Sequence, residues 1–224
     1  PMTDSVEAVL AAVVEASKAT GNEHSIKIGI HANVSPFSSK LESEEGGEEE
    51  YTYNLSKWCG ENSVTIVKNS GEMADQYYDW LTTYPLIYLE DSFDKKDSAG
   101  LVSLKEKVEA EHARYKTESA DDDGDNPNYF PGNVGGKHDV LFQLVGNESI
   151  STAEDIARAD EKQTINGVCL SVGKAGSVSK LIALNAKAER LGMPVVYVEE
   201  GGGDGRRWAL VLRAAPFRMW GKSW

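Results

Sequence analysis

Apolar residues recur at helical spacing in several segments of the chain, and short apolar runs separate those segments. In the first, Thr3 to Thr20, Val6, Val9, Leu10 and Val13 are expected on one face, with Gly21 at the C-terminal cap. "IKIGI" (26–30) predicts a strand ending at His31. "SGEMADQYYDWLTTY" (70–84) places Met73, Tyr77, Trp80, Leu81 and Tyr84 on a helix stripe, and Pro85 stops it. The run Leu86–Leu89 suits a strand buried on both faces, yet it ends on Glu90-Asp91, two carboxylates that are costly to desolvate.

The alternation continues. A helix is expected from about Ser98 to His112, a strand at "VLFQLV" (140–145), and a helix at 151–159 opened by a Ser151–Glu154 capping box. "INGVCLSV" (165–172) and "PVVYV" (194–198) predict strands on either side of the helix "SVSKLIALNAKAERLG" (177–192). "RWALVLRAA" (207–215) is ambiguous between strand and helix, and "FRMWGKSW" suits a last strand. Strands alternating with helices long enough for crossovers mean a parallel α/β sheet, doubly wound or barrel. Two polar stretches interrupt it: the acidic run 41–50, "LESEEGGEEE", expected as a solvated insertion, and a long loop over 113–138.

Composition narrows the function classes. The 224 residues are 40% hydrophobic and 26% charged, as in a globular protein, and carry a net charge of -13, which disfavours nucleic acid or an anionic membrane as partner. No apolar stretch has membrane-spanning length and no signal peptide opens the chain. Cys59 and Cys169 alone do not make a disulfide framework, so a reducing, cytoplasmic setting is expected. Pro1 in place of an initiator methionine suits a processed chain or a piece of a longer one.

The strand ends of a (β/α) barrel collect its function. Here they carry His31, Glu90-Asp91, Asn147-Glu148, Ser171, Glu199-Glu200 and Lys222. At these positions the sequence resembles the C-terminal barrel domain of the enolase family. "IKIGIHANVSPF" resembles the strand of the first metal-binding aspartate, "YPLIYLEDSFDKKD" that of the metal-binding glutamate, and "LVGNESIST" that of the third metal ligand. "VCLSVGKAGSVSK" is similar to the segment of the catalytic lysine, and "GMPVVYVEEGGGDG" to the stretch bearing a His-Arg-Ser cluster. Ungapped spacing then brings Lys222 onto the last active-site, substrate-binding lysine. The resemblance implies a partial TIM-type barrel of about six strands over 1–224, without the capping domain and the first two strands. A protein partner or an N-terminal segment is expected to complete it.

The resemblance also implies Mg²⁺-dependent dehydration of 2-phosphoglycerate by a lysine base. The matching positions depart from that chemistry. Glu90 is retained, but His31 and Asn147 replace two carboxylate ligands, and Ser171 replaces the base. Glu199 and Glu200 make a phosphate cradle anionic, each like-charge contact costing up to roughly 4 kcal/mol. Asp91 and Glu148 adjoin the ligand positions, but strand alternation is expected to point them the other way. His31 reads more simply as an ordinary histidine than as a new ligand, Lys174 as a loop lysine, "EEGGGDGRR" as no nucleotide site and "DDDGD" (121–125) as a solvated turn. The expectation is a catalytically inactive module with a structural or interaction role and no cofactor. The alternative is an active enolase (phosphopyruvate hydratase) using Mg²⁺. Trp208, Trp220 and Trp224 add aromatic area suited to a partner. Divergent enolase-like paralogues occur among ciliary and sperm proteins, so a ciliary or cytoskeletal assembly is one setting the resemblance allows.

Overall fold

The computed structural model describes residues 5–23, 25–41, 49–57, 66–119 and 142–198, and the chain divides into two compact units, 1–143 and 144–224. In the first unit, α1 (Val6–Ala19) starts at Ser5, whose hydroxyl accepts from the Ala8 amide at 3.2 Å. It ends where Gly21 takes φ +68°, its N–H bonding the Lys18 carbonyl and that of Asn22 the Ser17 carbonyl, a Schellman closure. The buried stripe differs from the expected one. Leu10 and Ser17 are buried while Val9 and Val13 are 42% and 39% exposed. The helix is rolled because Glu7 is held: its carboxylate accepts from Trp80 Nε1 at 2.8 Å and Gln76 Nε2 at 3.0 Å.

Strand β1 (Ile28–His31) runs parallel to β5 (Leu86–Glu90), pairing Gly29 with Tyr88 and His31 with Glu90. A side chain at position 29 would meet Tyr88 Cβ at 3.3 Å, so glycine leaves room for the ring. Leu86 and Leu89 are fully buried, but Ile87 and Tyr88 are half-buried, so β5 is not covered on both faces as expected. Between β1 and β5 lies an antiparallel meander that the sequence pattern does not announce: β2 (Ser38–Lys40), β3 (Tyr51–Asn54) and β4 (Val67–Asn69). The acidic run therefore joins two strands. The Leu41 N–H bonds the Glu50 carbonyl at 2.9 Å, and residues 42–48 lie outside the described residues.

Helix α2 (Ser70–Thr83) opens with a capping box between Asn69 and Glu72 and buries Met73, Tyr77, Trp80 and Leu81 as expected. Helix α3 runs Ser98–Ser119, about two turns beyond the expected end at His112, and takes the start of the 113–138 loop with it. The rest of that loop is outside the described residues.

The core of this unit is aromatic, with Phe93 edge-on to both Tyr53 and Tyr77, and Tyr77 edge-on to Trp80. Beside it sits the carboxylate of Asp97, 2% exposed. It accepts from Tyr53 Oη at 2.6 Å, Ser70 Oγ at 2.5 Å and the Gly100 N–H at 2.9 Å. A side chain at Gly100 would meet the Phe93 ring at 2.4 Å, so only glycine lets this amide approach. Burial and the adjacent carboxylate hold the Tyr53 phenol protonated well above its ordinary pKa of 10.0.

In the second unit β6 (Gln143–Gly146), β7 (Gly167–Leu170) and β8 (Val195–Tyr197) are parallel, with β7 paired to both others. Helix α4 (Ala153–Glu161) has its capping box one residue later than expected, Thr152 with Asp155 in place of Ser151 with Glu154. A four-residue turn α5 (Val172–Ala175) follows β7, and α6 (Val178–Arg190) is capped by Ser177 and closed by Gly192 at φ +72°. The segments 207–215 and 217–224, with Trp208, Trp220 and Trp224, are outside the described residues.

Two outcomes follow. Tyr53→Phe removes one donor from buried Asp97 and the acceptor of the Asp94 N–H, so the unfolding free energy in urea is expected to fall by about 1–3 kcal/mol. Glu7 is pushed up by burial, but hydrogen bonds from its backbone, Trp80 and Gln76 outweigh this and hold it below its ordinary 4.5. A depressed carboxylate stabilises above its unfolded pKa and loses that contribution as pH falls through the folded one. The acid limb of a stability profile read by tryptophan fluorescence is therefore expected to be shallower in Glu7→Gln.

Candidate functional site

The C-terminal ends of β1 and β5 are bound together beyond the strands: the Ala32 N–H donates to the Glu90 carbonyl at 2.9 Å and the Val34 N–H to that of Asp91 at 3.3 Å. This register puts His31 opposite Glu90. His31 Nε2 lies 3.5 Å from Glu90 Oε1 and 3.3 Å from Asp91 Oδ2. Both acids are buried, and the imidazole is about one-third exposed, its side chain at 35%. Tyr88, two residues before Glu90 on the same strand face, donates its hydroxyl to Glu90 Oε2 at 2.5 Å.

The convergence of two adjacent acids corrects the expectation from strand alternation. Asp91 has φ +48°, in the left-handed region, so the pleat ends at Glu90 and the next side chain swings back to the same imidazole. Aspartate tolerates that conformation better than most residues. The following loops hold two buried polar atoms, Asn33 Oδ1 and Ser92 Oγ, with no hydrogen-bond partner among the described residues.

The second unit carries another pair of strand ends. Asn147 follows β6, and Ser171 follows β7, buried at 5% exposure. The Ser171 hydroxyl caps α5, accepting from the Lys174 N–H at 3.2 Å. Lys174 is not the solvated loop lysine expected. Its ammonium is half-buried and donates to the Asn147 carbonyl and, at 3.0 Å, to Asn147 Oδ1. Glu148 is exposed. Glu199, Glu200 and Lys222 lie outside the described residues.

The structure thus gathers His31, Glu90 and Asp91 in one unit and Asn147, Ser171 and Lys174 in the other. Asp91 and Lys174 are the residues that sequence reasoning set aside. Nothing in a linear pattern announces a left-handed turn at an aspartate, whereas a lysine three residues after a capping serine is at least placed to turn back over the strand ends. Asp91→Val is expected to cost about 1–2 kcal/mol more than Asp91→Asn in urea unfolding, because a β-branched residue resists the left-handed backbone. Equal losses would contradict the turn.

The family model described as "Enolase, C-terminal TIM barrel domain" matches residues 1–113, just over half of the 224. The match contains His31, Glu90 and Asp91. Asn147, Ser171, Glu199 and Lys222 lie past it, and their correspondence rests on the resemblance of their motifs alone. The α/β succession of the chain is that of a partial TIM-type barrel. With half of its length matched, the chain belongs to the enolase family, through the C-terminal TIM barrel domain.

Proposed function

We propose that the chain is a catalytically inactive enolase-like module with a structural or protein-interaction role. The observation that carries this reading is Ser171. At the position where the resemblance puts the lysine base stands a hydroxyl whose oxygen is engaged as a helix cap. Removing a positioned base typically costs roughly 10²–10⁴-fold, and a serine hydroxyl has no basicity toward carbon to replace it. Lys174, the nearest amine in sequence, is turned onto Asn147 instead.

The family's Mg²⁺ does not fit the residues present. A hard octahedral ion takes oxygen ligands and favours several carboxylates. His31 offers nitrogen, and Asn147 offers a neutral amide oxygen already bonded to an ammonium. Glu90 is the retained ligand. Of the three family ligand positions only one keeps its carboxylate, too few for a hard ion.

The role left to such a module is docking. The net charge of -13 and the acidic run 41–50 favour a protein partner with a basic face over nucleic acid or membrane. Among the described residues no helix is long and apolar enough to cross a membrane. A cytoplasmic, ciliary or cytoskeletal assembly is the setting we propose. The retained Glu90 favours one other reading, an active phosphopyruvate hydratase. Turnover of 2-phosphoglycerate with Mg²⁺, followed by the absorbance of the enol product, separates the two. No turnover above the buffer rate is expected. Turnover that disappears in Glu90→Ala would overturn the inactive reading.

A further inference from the structure

We infer that His31 Nε2, Glu90 Oε1 and Asp91 Oδ2 form a binding site for a divalent transition-metal ion of the zinc class, in place of the hard ion of the family. The inference goes beyond the inactive reading and needs no activity. It starts from the donors. One imidazole nitrogen and two carboxylate oxygens lie within 4.8 Å of one another. That mixed set suits zinc, cobalt or iron, whereas magnesium prefers oxygen throughout.

Spacing points the same way. Ligand atoms about 2.0–2.1 Å from a tetrahedral ion lie roughly 3.3–3.4 Å apart, and those around octahedral magnesium roughly 3.0 Å. The measured separations from Nε2 are 3.3 and 3.5 Å. As charge-assisted hydrogen bonds these are long, since such bonds sit near about 2.7–2.9 Å. A single N–H also cannot aim at both oxygens at once. An ion seated between the three can be held by all of them.

Two further features suit an ion with an open position. Glu90 Oε2, the oxygen not facing the imidazole, is fixed by the Tyr88 hydroxyl, the kind of outer support that orients a ligating carboxylate. Asn33 Oδ1 and Ser92 Oγ are buried and unsatisfied among the described residues. They lie in the loops that follow β1 and β5, which are joined by the Val34–Asp91 bond. Asp91 reaches the site only through its left-handed turn.

The test is a titration of the full chain with Co²⁺, whose visible spectrum reports coordination number, followed by competition with Zn²⁺ and Mg²⁺. The expected result is one equivalent of Co²⁺ with the strong visible bands of a four- or five-coordinate site, displaced by Zn²⁺ and not by millimolar Mg²⁺. His31→Ala and Asp91→Asn are each expected to weaken binding by at least about 100-fold, the upper range for losing even a ligand's supporting partner. His31 is partly exposed, so its variant is expected to retain the wild-type far-UV circular dichroism. Cobalt binding unchanged in His31→Ala, weak six-coordinate bands, displacement by Mg²⁺, or no binding would each overturn the site.

Discussion

A buried carboxylate organises the first unit. Asp97 draws a phenol from β3, a hydroxyl from the first turn of α2 and an amide from the first turn of α3 onto its two oxygens. A carboxylate in that position is tolerable only while all its donors are supplied, so three elements distant in sequence are fixed by one requirement. The aromatic rings alongside give area, but area alone is not directional. Tyr53 belongs to both systems: its ring packs edge-on to Phe93 and its hydroxyl binds Asp97 and accepts from the Asp94 amide. That dual use holds the loop after β5, and with it the backbone that follows Glu90 and Asp91.

The strand ends of each unit carry polar residues at the positions where the motifs resemble those of the family. In the first unit a nitrogen donor faces the retained glutamate, and a turn of the backbone adds a second acid beside it. In the second, an ammonium rests on an asparagine and a serine terminates a helix. Among the described residues His31, Asn147 and Ser171 each have a partner in the local structure. Positions that depart from the family's motifs take part in capping and hydrogen bonding, which stabilise the fold by ordinary means.

Much of this was legible in the sequence. The stripe of α2, the strand at β5, the glycines that close α1 and α6 and the α/β class all follow from periodicity and cap chemistry. Failures have local causes. Strands β2 to β4 are three or four residues long, too short for alternation to stand out, and β2 reads Ser-Ser-Lys. The face of α1 was misjudged because a glutamate bonded to an indole outcompetes two valines for the contact. The capping box of α4 moved by one residue because Thr152 and Asp155 satisfy the same spacing. At the site, His31 and Glu90 were recognisable by position, whereas Asp91 and Lys174 depend on a dihedral angle and a side-chain reach that no spacing encodes.

The pairing of Leu41 with Glu50 has a practical consequence. The two ends of the acidic run adjoin β2 and β3, so the sheet itself brings them together. The entropy of closing such a connection grows only as the logarithm of its length, about 0.6 kcal/mol for each doubling. That position is a natural graft point: a reporter peptide or an affinity epitope placed there would lengthen the chain without disturbing the register of the strands beneath it.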